Sequence, residues 1–134
     1  MADESDANER NAHSISVPRD VAQLRAVRDW LRDEVAPWVA GRPDAGEEVA
    51  VMANELLTNA IRHTTSIPIL TVLVADDRIR VSVHDDDPNP PVVMPVDVQR
   101  PSGNGMRIVE AWAERWGTDR VPGNGKHVWF TVCS

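Results

Sequence analysis

Apolar side chains recur at intervals of three and four near the start of the chain, the spacing of one face of an amphipathic helix. Polar and charged residues fill the positions between them. Pro18 lies just before the repeat and suits a helix start, while Pro37 and Gly41 end it. The apolar positions of this first predicted helix are Val21, Leu24, Val27, Leu31, Val35 and Trp38.

A second repeat of the same kind predicts a helix over residues 44–63. Asp44 is its expected N-cap, and Glu47 three residues later gives the spacing of a capping box, in which two side chains satisfy free backbone N–H groups. The helix is expected to turn a broad apolar face toward the core. That face consists of Val49, Met52, Ala53, Leu56, Leu57, Ala60 and Ile61.

Two strand-like runs follow the helical repeat, in residues 67–75 and 78–84, and in the second of them apolar and polar residues alternate with a period of two. This is the pattern of half-buried strands, and the short connection between the two runs predicts a hairpin. Residues 14–17 predict a further short strand before the first helix.

The regular pattern stops over residues 85–104, where five prolines make a helix or strand unlikely to form and a long loop is expected. Helical spacing returns in residues 105–116. A Pro-Gly-Asn-Gly turn then separates two strand-like runs, residues 118–121 and 127–133, which predict a closing hairpin.

The order helix, helix, hairpin, loop, helix, hairpin predicts an α/β two-layer sandwich, with helices packed on one face of a mixed, mostly antiparallel sheet. Residues 1–13 have no large apolar side chain after Met1 and are rich in charge, so we expect a disordered tail. Residues 14–134 are expected to form a single domain.

Charge and composition exclude several classes of function. The formal charge is −7, from 14 Lys and Arg against 21 Asp and Glu, and no basic stripe is present to bind nucleic acid or an anionic membrane. No apolar run approaches the roughly 20 residues that span a bilayer, and the N-terminus lacks a signal-peptide pattern. Cys133 is the only cysteine, so no intramolecular disulfide can form. These features predict a cytoplasmic protein.

Candidate chemistry begins with Glu55 and Asn59, which are four residues apart on one face of the second predicted helix. A carboxamide oxygen so placed can contribute to holding a hydrated Mg²⁺, and the carboxylate can orient a hydroxyl group. The alternative is a solvated polar stripe on an amphipathic helix, because such pairs are common.

A second carboxylate, Asp85, ends the strand that precedes the loop and can accept a hydrogen bond from an exocyclic amine such as that of adenine. The run His84-Asp85-Asp86-Asp87 can also be interpreted as a metal cluster. A strand sends alternate side chains to opposite faces, so four converging ligands are not expected. A solvated acidic turn is the simpler interpretation.

Gly103 and Gly105 open the third predicted helix with Asn104 between them. Glycines at a helix N-terminus allow close approach of a phosphate, and the free N–H groups favour the anion. A Gly-x-Gly sequence also makes an ordinary turn. The long loop before it and the amphipathic helix after it favour the phosphate interpretation.

The order and spacing of these segments resemble the motifs of the GHKL (Bergerat-fold) ATPase and kinase superfamily. Its N-box is similar to NELLTNAIRH at residues 54–63, its G1 box to VSVHD at 81–85, and its G2 box to GNGMRIV at 103–109. The segment GKHVWF at 125–130 is typical of the branch of anti-sigma-factor serine/threonine kinases common in actinobacteria. The resemblance covers about residues 14–133.

The resemblance implies ATP and Mg²⁺ as cofactors and gives each motif residue a role. Glu55 corresponds to the catalytic base, Asn59 to the magnesium ligand, and Asp85 to the residue that contacts the adenine amine. The expected remainder of the nucleotide site is Gly103, Asn104, Gly105 and Met106.

Three departures from the family pattern bear on phosphate transfer more than on nucleotide binding. Asp87 occupies a position that is often Gly, and Asn104 one that is often Arg or Lys. The loop carries no Lys or Arg between Asp85 and Gln99. The sequence leaves open the roles of Arg62, His63, Arg100, Arg107, Lys126 and Thr131.

The resemblance implies an anti-sigma factor that is also a serine protein kinase, a homodimer that binds a sigma factor and phosphorylates an antagonist protein. The alternative is an ATP-binding module that binds a protein partner and transfers no phosphate. The catalytic domain of a sensor histidine kinase would need a phosphoacceptor His, which the first helix lacks. A gyrase-type or chaperone-type ATPase would need a transducer domain for which 134 residues leave no room.

Overall fold

In the part of the chain that the computed structural model describes, the helices lie on one side of a β-sheet. The described residues are 9–17, 20–39, 41–42, 44–64, 66–75, 77–90 and 105–133. The helices are α1 (Leu24–Val35), α2 (Ala45–His63) and α3 (Gly105–Trp112). The strands are β1 (Glu9–Ser16), β2 (Ile69–Ala75), β3 (Arg78–Asp85), β4 (Arg115–Arg120) and β5 (Lys126–Cys133).

The strands form one sheet in the order β1-β2-β3-β5-β4, and each neighbouring pair is antiparallel. The predicted fold class, helices packed on one face of a mostly antiparallel sheet, is confirmed. The β3–β5 register places Val81 opposite Phe130 and Asp85 opposite Lys126. β5 therefore lies inside the sheet, between β3 and β4.

The hydrophobic core lies between the helices and one face of the sheet. β2, β3 and β5 each contribute alternate residues to it, and Phe130 at the centre of β5 has no exposed surface. Burying a side chain of this kind stabilises the fold by about 1.5–3 kcal/mol. The helix-facing strand residues are Leu70, Val72, Val74, Ile79, Val81, Val83, Val128, Phe130 and Val132. The buried residues of α1 are Leu24, Val27, Leu31 and Val35, as the repeat predicts.

The start of α2 differs from the predicted capping box. Asp44 has helical backbone angles and its side chain makes no capping hydrogen bond. Glu47 instead accepts a hydrogen bond from the guanidinium of Arg32 in α1 at 3.0 Å, because the two helices pack side by side. A side-chain bond of the capping kind lies before α1, where Asp20 Oδ1 accepts from the backbone N–H of Ala22 at 2.9 Å.

Two boundaries differ from the sequence prediction. β1 begins at Glu9, so residues 9–13 belong to a strand and not to a disordered tail, since backbone pairing with β2 needs no apolar side chains. Residues 1–8 lie outside the described part of the chain.

The third helix ends at Trp112, before the predicted end at residue 116. The backbone N–H of Glu114 donates to the carbonyl of Thr131 at 2.8 Å, which draws the chain into the sheet as β4. Among the described residues, no helix has the length and apolar character needed to cross a membrane.

Candidate functional site

The polar face of α2 carries Glu55, Asn59 and Arg62 at intervals of four and three residues, so the three side chains share one side of the helix. Glu55 and Asn59 are half-buried, whereas Arg62 is exposed. Burial raises the pKa of the Glu55 carboxyl, and the positive charge of Arg62 partly opposes this rise. A carboxylate of this kind is a better proton acceptor near neutral pH than a fully solvated one.

The placement of this polar face follows from the packing of α2. Leu56, Leu57 and Ala60 are buried against the core, and α2 contacts both β3 and α3. Glu55 is next to Leu56 and Asn59 is next to Ala60 along the helix, and both are half-buried at the border of this buried face. They are therefore neither core residues nor part of a fully solvated stripe.

Asp85 ends β3 on the side of the sheet that faces the helices, next to Val83, and only 3% of its surface is exposed. Its Oδ1 accepts hydrogen bonds from Lys126 Nζ at 2.8 Å and from the backbone N–H of Asp87 at 3.0 Å. Lys126, which is 4% exposed, also donates to the Asp87 carbonyl at 2.7 Å. The two buried charges therefore compensate each other and are further satisfied by the backbone.

Gly125 allows this arrangement, because β5 approaches the end of β3 very closely. A Cβ at this position would overlap the Asp85 carbonyl oxygen and lie 2.7 Å from the Asp86 Cα. Gly125 also has φ of 71°, a conformation that L side chains rarely adopt. The residue before Lys126 is thus fixed as glycine by space and by backbone conformation.

The start of α3 is the third part of the predicted site. Gly105 is the first helical residue, and Met106 is 3% exposed and belongs to the core cluster. Gly103 and Asn104 lie outside the described residues. α3 packs against α2, so the structure brings Gly105, the second glycine of the pair, and the polar face of α2 into neighbouring elements.

The predicted site residues are not all in mutual contact. Asp85 lies in the sheet and Met106 in α3, and no hydrogen bond or ion pair among the described residues connects Glu55 or Asn59 to Asp85. A single ligand that contacts both would have to lie across α2 and the end of β3.

A cavity of about 510 Å³ lies beside Asp85, between the residues that follow β3 and the β4–β5 turn. Its volume is in the range of small-molecule sites. Arg120, which lines it, donates from Nε to the Pro88 carbonyl at 3.2 Å. The full lining is Asp86, Pro88, Arg120, Val121, Pro122, Gly123, Asn124 and Gly125.

His84 and Thr131 lie on the outer face of the sheet, away from the helices and from Asp85. The His84 ring donates from Nε2 to the Asn124 carbonyl at 2.7 Å and lies 5.0 Å from the His127 ring. Burial, with the nearby positive charges of His84 and Arg80, lowers the pKa of His127. Over the described ranges, no group of three or more His, Cys, Asp or Glu could hold a metal ion.

The residue that sequence reasoning did not place is Lys126. The alternation in β5 puts Lys126 on the face of Val128 and Phe130, and the alternation in β3 puts Asp85 on the face of Val83. Those patterns give the faces, but the β3–β5 register that sets the two residues opposite each other does not follow from either. The side chain of His63 lies outside the described part of the chain, and so does the whole of Arg100.

The comparison with known families gives a match over most of the chain. A family model described as a histidine kinase-like ATPase domain matches residues 17–132. No curated protein matches the chain.

Proposed function

The chain belongs to the family of histidine kinase-like ATPase domains, and from this premise we propose that it is an anti-sigma factor and a serine protein kinase. ATP binding is the property that the family supplies. The proposal adds a sigma factor and an anti-sigma-factor antagonist as protein partners, phosphate transfer to a serine of the antagonist, and a homodimer as the active form. In this proposal the chain is an α/β domain, and Glu55 is its catalytic residue.

The nucleotide is proposed to lie across α2, the end of β3 and the start of α3. Asp85 accepts a hydrogen bond from the adenine amine, for which a buried carboxylate at a strand end is suited. The backbone of Gly103, Asn104, Gly105 and Met106 is proposed to receive the phosphates, and the N-terminus of α3 favours their negative charge.

The donor set of the described residues fits a magnesium ion that is held mainly by the nucleotide. No cluster of three acidic or histidine ligands is present among the described residues, and Mg²⁺ commonly keeps several waters and binds through substrate phosphates with one or two protein oxygens. The half-buried Asn59 would supply one such oxygen. When bound, the ion would neutralise charge on the phosphates.

Glu55 carries the proposal of phosphate transfer. It is a half-buried carboxylate whose pKa is raised by that burial, and it lies one helical turn from Asn59. In the proposed step its carboxylate accepts the proton of the serine hydroxyl while the serine oxygen forms a bond to the γ-phosphorus. The bond from the γ-phosphorus to the bridging oxygen breaks, and ADP leaves. Positioning and charge stabilisation supply most of the catalysis in such reactions.

One observation favours the alternative, an ATP-binding module that transfers no phosphate. Lys126 donates to Asp85 and Asp87, and Arg120 donates to Pro88, so these two cations are engaged with the protein itself. Both contacts hold these cations beside the end of β3, where the adenine is proposed to lie and not the phosphates. Neither is therefore placed to stabilise a transferring phosphoryl group, which would slow transfer without preventing binding.

The experiment that separates the two functions compares the parent protein with Glu55→Gln. Each is incubated with labelled ATP, magnesium and candidate antagonist proteins, and transferred label is counted. The kinase proposal expects a loss of transfer of at least about 100-fold in the variant, with ATP affinity retained. Glu48→Gln, the same change two turns earlier in α2, is the control and should transfer as the parent does.

Two results would contradict the kinase proposal. Equal transfer by the parent and Glu55→Gln would remove Glu55 from the mechanism. Tight ATP binding by the parent with no transfer to any antagonist would leave the non-catalytic module. The anti-sigma part is tested separately by mixing the protein with purified sigma factors and ATP and measuring complex formation by light scattering.

A further inference from the structure

The buried pair of Asp85 and Lys126 has hydrogen-bonding capacity that the protein does not use. Both side chains are about 5% exposed. The carboxylate receives its two hydrogen bonds on Oδ1, from Lys126 Nζ and from the Asp87 N–H. The ammonium group uses two of its three N–H bonds, one on Asp85 and one on the Asp87 carbonyl.

What remains is an acceptor and a donor held side by side. Oδ2 of Asp85 receives no hydrogen bond among the described residues. This oxygen is also not completely enclosed by the protein. The third N–H of Lys126 has no acceptor among the described residues. Because Oδ1 and Nζ are joined at 2.8 Å, the free acceptor and the free donor have a fixed relation to each other.

We propose that Lys126 is a base-specificity residue, which donates a hydrogen bond to a purine ring nitrogen while the carboxylate that it holds accepts from the neighbouring exocyclic amine. This inference rests on the proposed nucleotide site and goes beyond it, because it assigns recognition of the base to a pair of residues.

The chemistry of the purines determines which base such a pair accepts. Adenine presents an amine donor at C6 beside the unprotonated ring nitrogen N1. The amine would donate to Asp85, and N1 would accept from Lys126. Guanine and hypoxanthine present a carbonyl oxygen at C6 beside a protonated N1, the reverse arrangement. Their carbonyl would face Oδ2 and their N–H would face the ammonium group, which leaves buried polar groups opposed and unpaired.

Arg120, on the neighbouring strand β4, provides a matched comparison for Lys126. It lies opposite Lys126 in the β4–β5 register, and it also donates to a carbonyl of the segment after β3, that of Pro88. No hydrogen bond or ion pair in the described part of the chain links Arg120 to Asp85. A variant of Arg120 therefore loosens the same segment without changing the pair.

The test measures the dissociation constants of ATP and inosine triphosphate by calorimetry, with magnesium, for the parent protein, Lys126→Met and Arg120→Met. Loss of a hydrogen bond to a charged group weakens binding about tenfold to a hundredfold. The dissociation constant of inosine triphosphate divided by that of ATP measures the preference for ATP. In Lys126→Met this ratio should fall by at least about tenfold, mainly because ATP binds more weakly. Arg120→Met should keep the parent's ratio.

A second measurement needs no variant and so does not depend on the folding of Lys126→Met, in which a buried carboxylate has lost its counter-charge. The parent is titrated with 1-deaza-ATP, in which a C–H group replaces N1. The expected loss relative to ATP is again about tenfold or more. Lys126→Gln, which keeps a donor without the charge, should lie between the parent and Lys126→Met in its preference for ATP.

The outcomes separate this inference from the proposed function. ATP binding by the parent with equal affinity for 1-deaza-ATP overturns the role of Lys126 and leaves the ATP site intact. An unchanged ratio in a folded Lys126→Met protein does the same. A parent protein that binds no ATP overturns both the site and the inference.

Discussion

Glu55 and Asp85 are carboxylates whose different surroundings give them different chemistry. Asp85 is compensated by the ammonium group of Lys126 and by a backbone N–H, which fixes its position. Glu55 is half-buried on α2, and among the described residues the charge that offsets its burial is that of Arg62, which is exposed. A compensated carboxylate suits recognition of a ligand, and an uncompensated one suits proton transfer.

The raised pKa of Glu55 predicts the pH dependence of phosphate transfer. The carboxylate form is the base, so the rate falls as the pH drops through a pKa that lies above the ordinary value of about 4.3. Arg62→Met removes the charge that opposes the rise, and should move this acid limb to higher pH. Profiles of kcat/KM against pH check the shift. Arg25→Met, an exposed change on α1, is the control, and an acid limb that stays in place or moves down would contradict the prediction.

The close approach of β5 to β3 predicts that Gly125 cannot be replaced. Gly123→Ala introduces only positive-φ strain, about 1 kcal/mol, because nothing lies near its Cβ. Gly125→Ala adds overlap with the backbone of Asp85 and Asp86, and should cost roughly 2 kcal/mol more. The free energies of unfolding in urea at 25 °C give both values. Equal costs for the two changes would show that the strands separate without penalty.

At the scale of helices and strands, periodicity predicted the elements well and their ends less well. The repeat Leu24, Val27, Leu31, Val35 is the buried face of α1, and the alternation through Ile79 and beyond is the core face of β3. Helical spacing continued to residue 116, whereas α3 ends at Trp112. That end is set by a backbone hydrogen bond from Glu114 to β5, which no local pattern contains.

The predicted site shows the same division between local and non-local information. The interval between Glu55 and Asn59 places both on one side of α2 because helix geometry is local. The partner of Asp85 depends on which strand lies beside β3, and in which register. The last strand in chain order has that position, so the Asp85–Lys126 pair could not be derived from spacing.

Two aspartates next to helices predict losses of stability of different size for the same substitution. Asp20 accepts a hydrogen bond from the backbone N–H of Ala22 ahead of α1, so Asp20→Ala should cost about 0.5–2 kcal/mol. Asp44 makes no such bond at the start of α2, and Asp44→Ala should change stability by less than about 0.5 kcal/mol. Thermal unfolding of the two variants tests this, and a larger loss in Asp44→Ala would restore the capping box.

On the scale of the whole molecule, the acidic balance matters for binding of a polyanion. The formal charge of −7 does not attract a triphosphate. Affinity must therefore come from local groups, such as backbone N–H groups at the start of α3 and a cation carried with the nucleotide. Binding of ATP should accordingly depend strongly on magnesium.

Nucleotide binding and global stability are linked, which gives a prediction for the intact protein. Mg²⁺ with ATP at about 100 times its Kd adds about 2.7 kcal/mol to stability and raises Tm by roughly 10 °C for a domain of this size. Asn59→Ala should lose most of the magnesium-dependent part of this rise, and Asn54→Ala, the same change on α2, should retain it. Calorimetric scans with Mg²⁺ or EDTA provide the measurement. An equal rise in both variants would exclude Asn59 as a magnesium ligand.

The interior place of β5 in the sheet also has a consequence for synthesis on the ribosome. Until β5 has left the exit tunnel, β3 has an unpaired edge and β4 has no partner, and the core lacks Phe130. The nascent chain must therefore carry its helices and its first hairpin with apolar surface uncovered, which is the condition that chaperones recognise. Completion of the fold waits for residues that are translated about 40 positions after β3, the kind of distant pairing that slows folding.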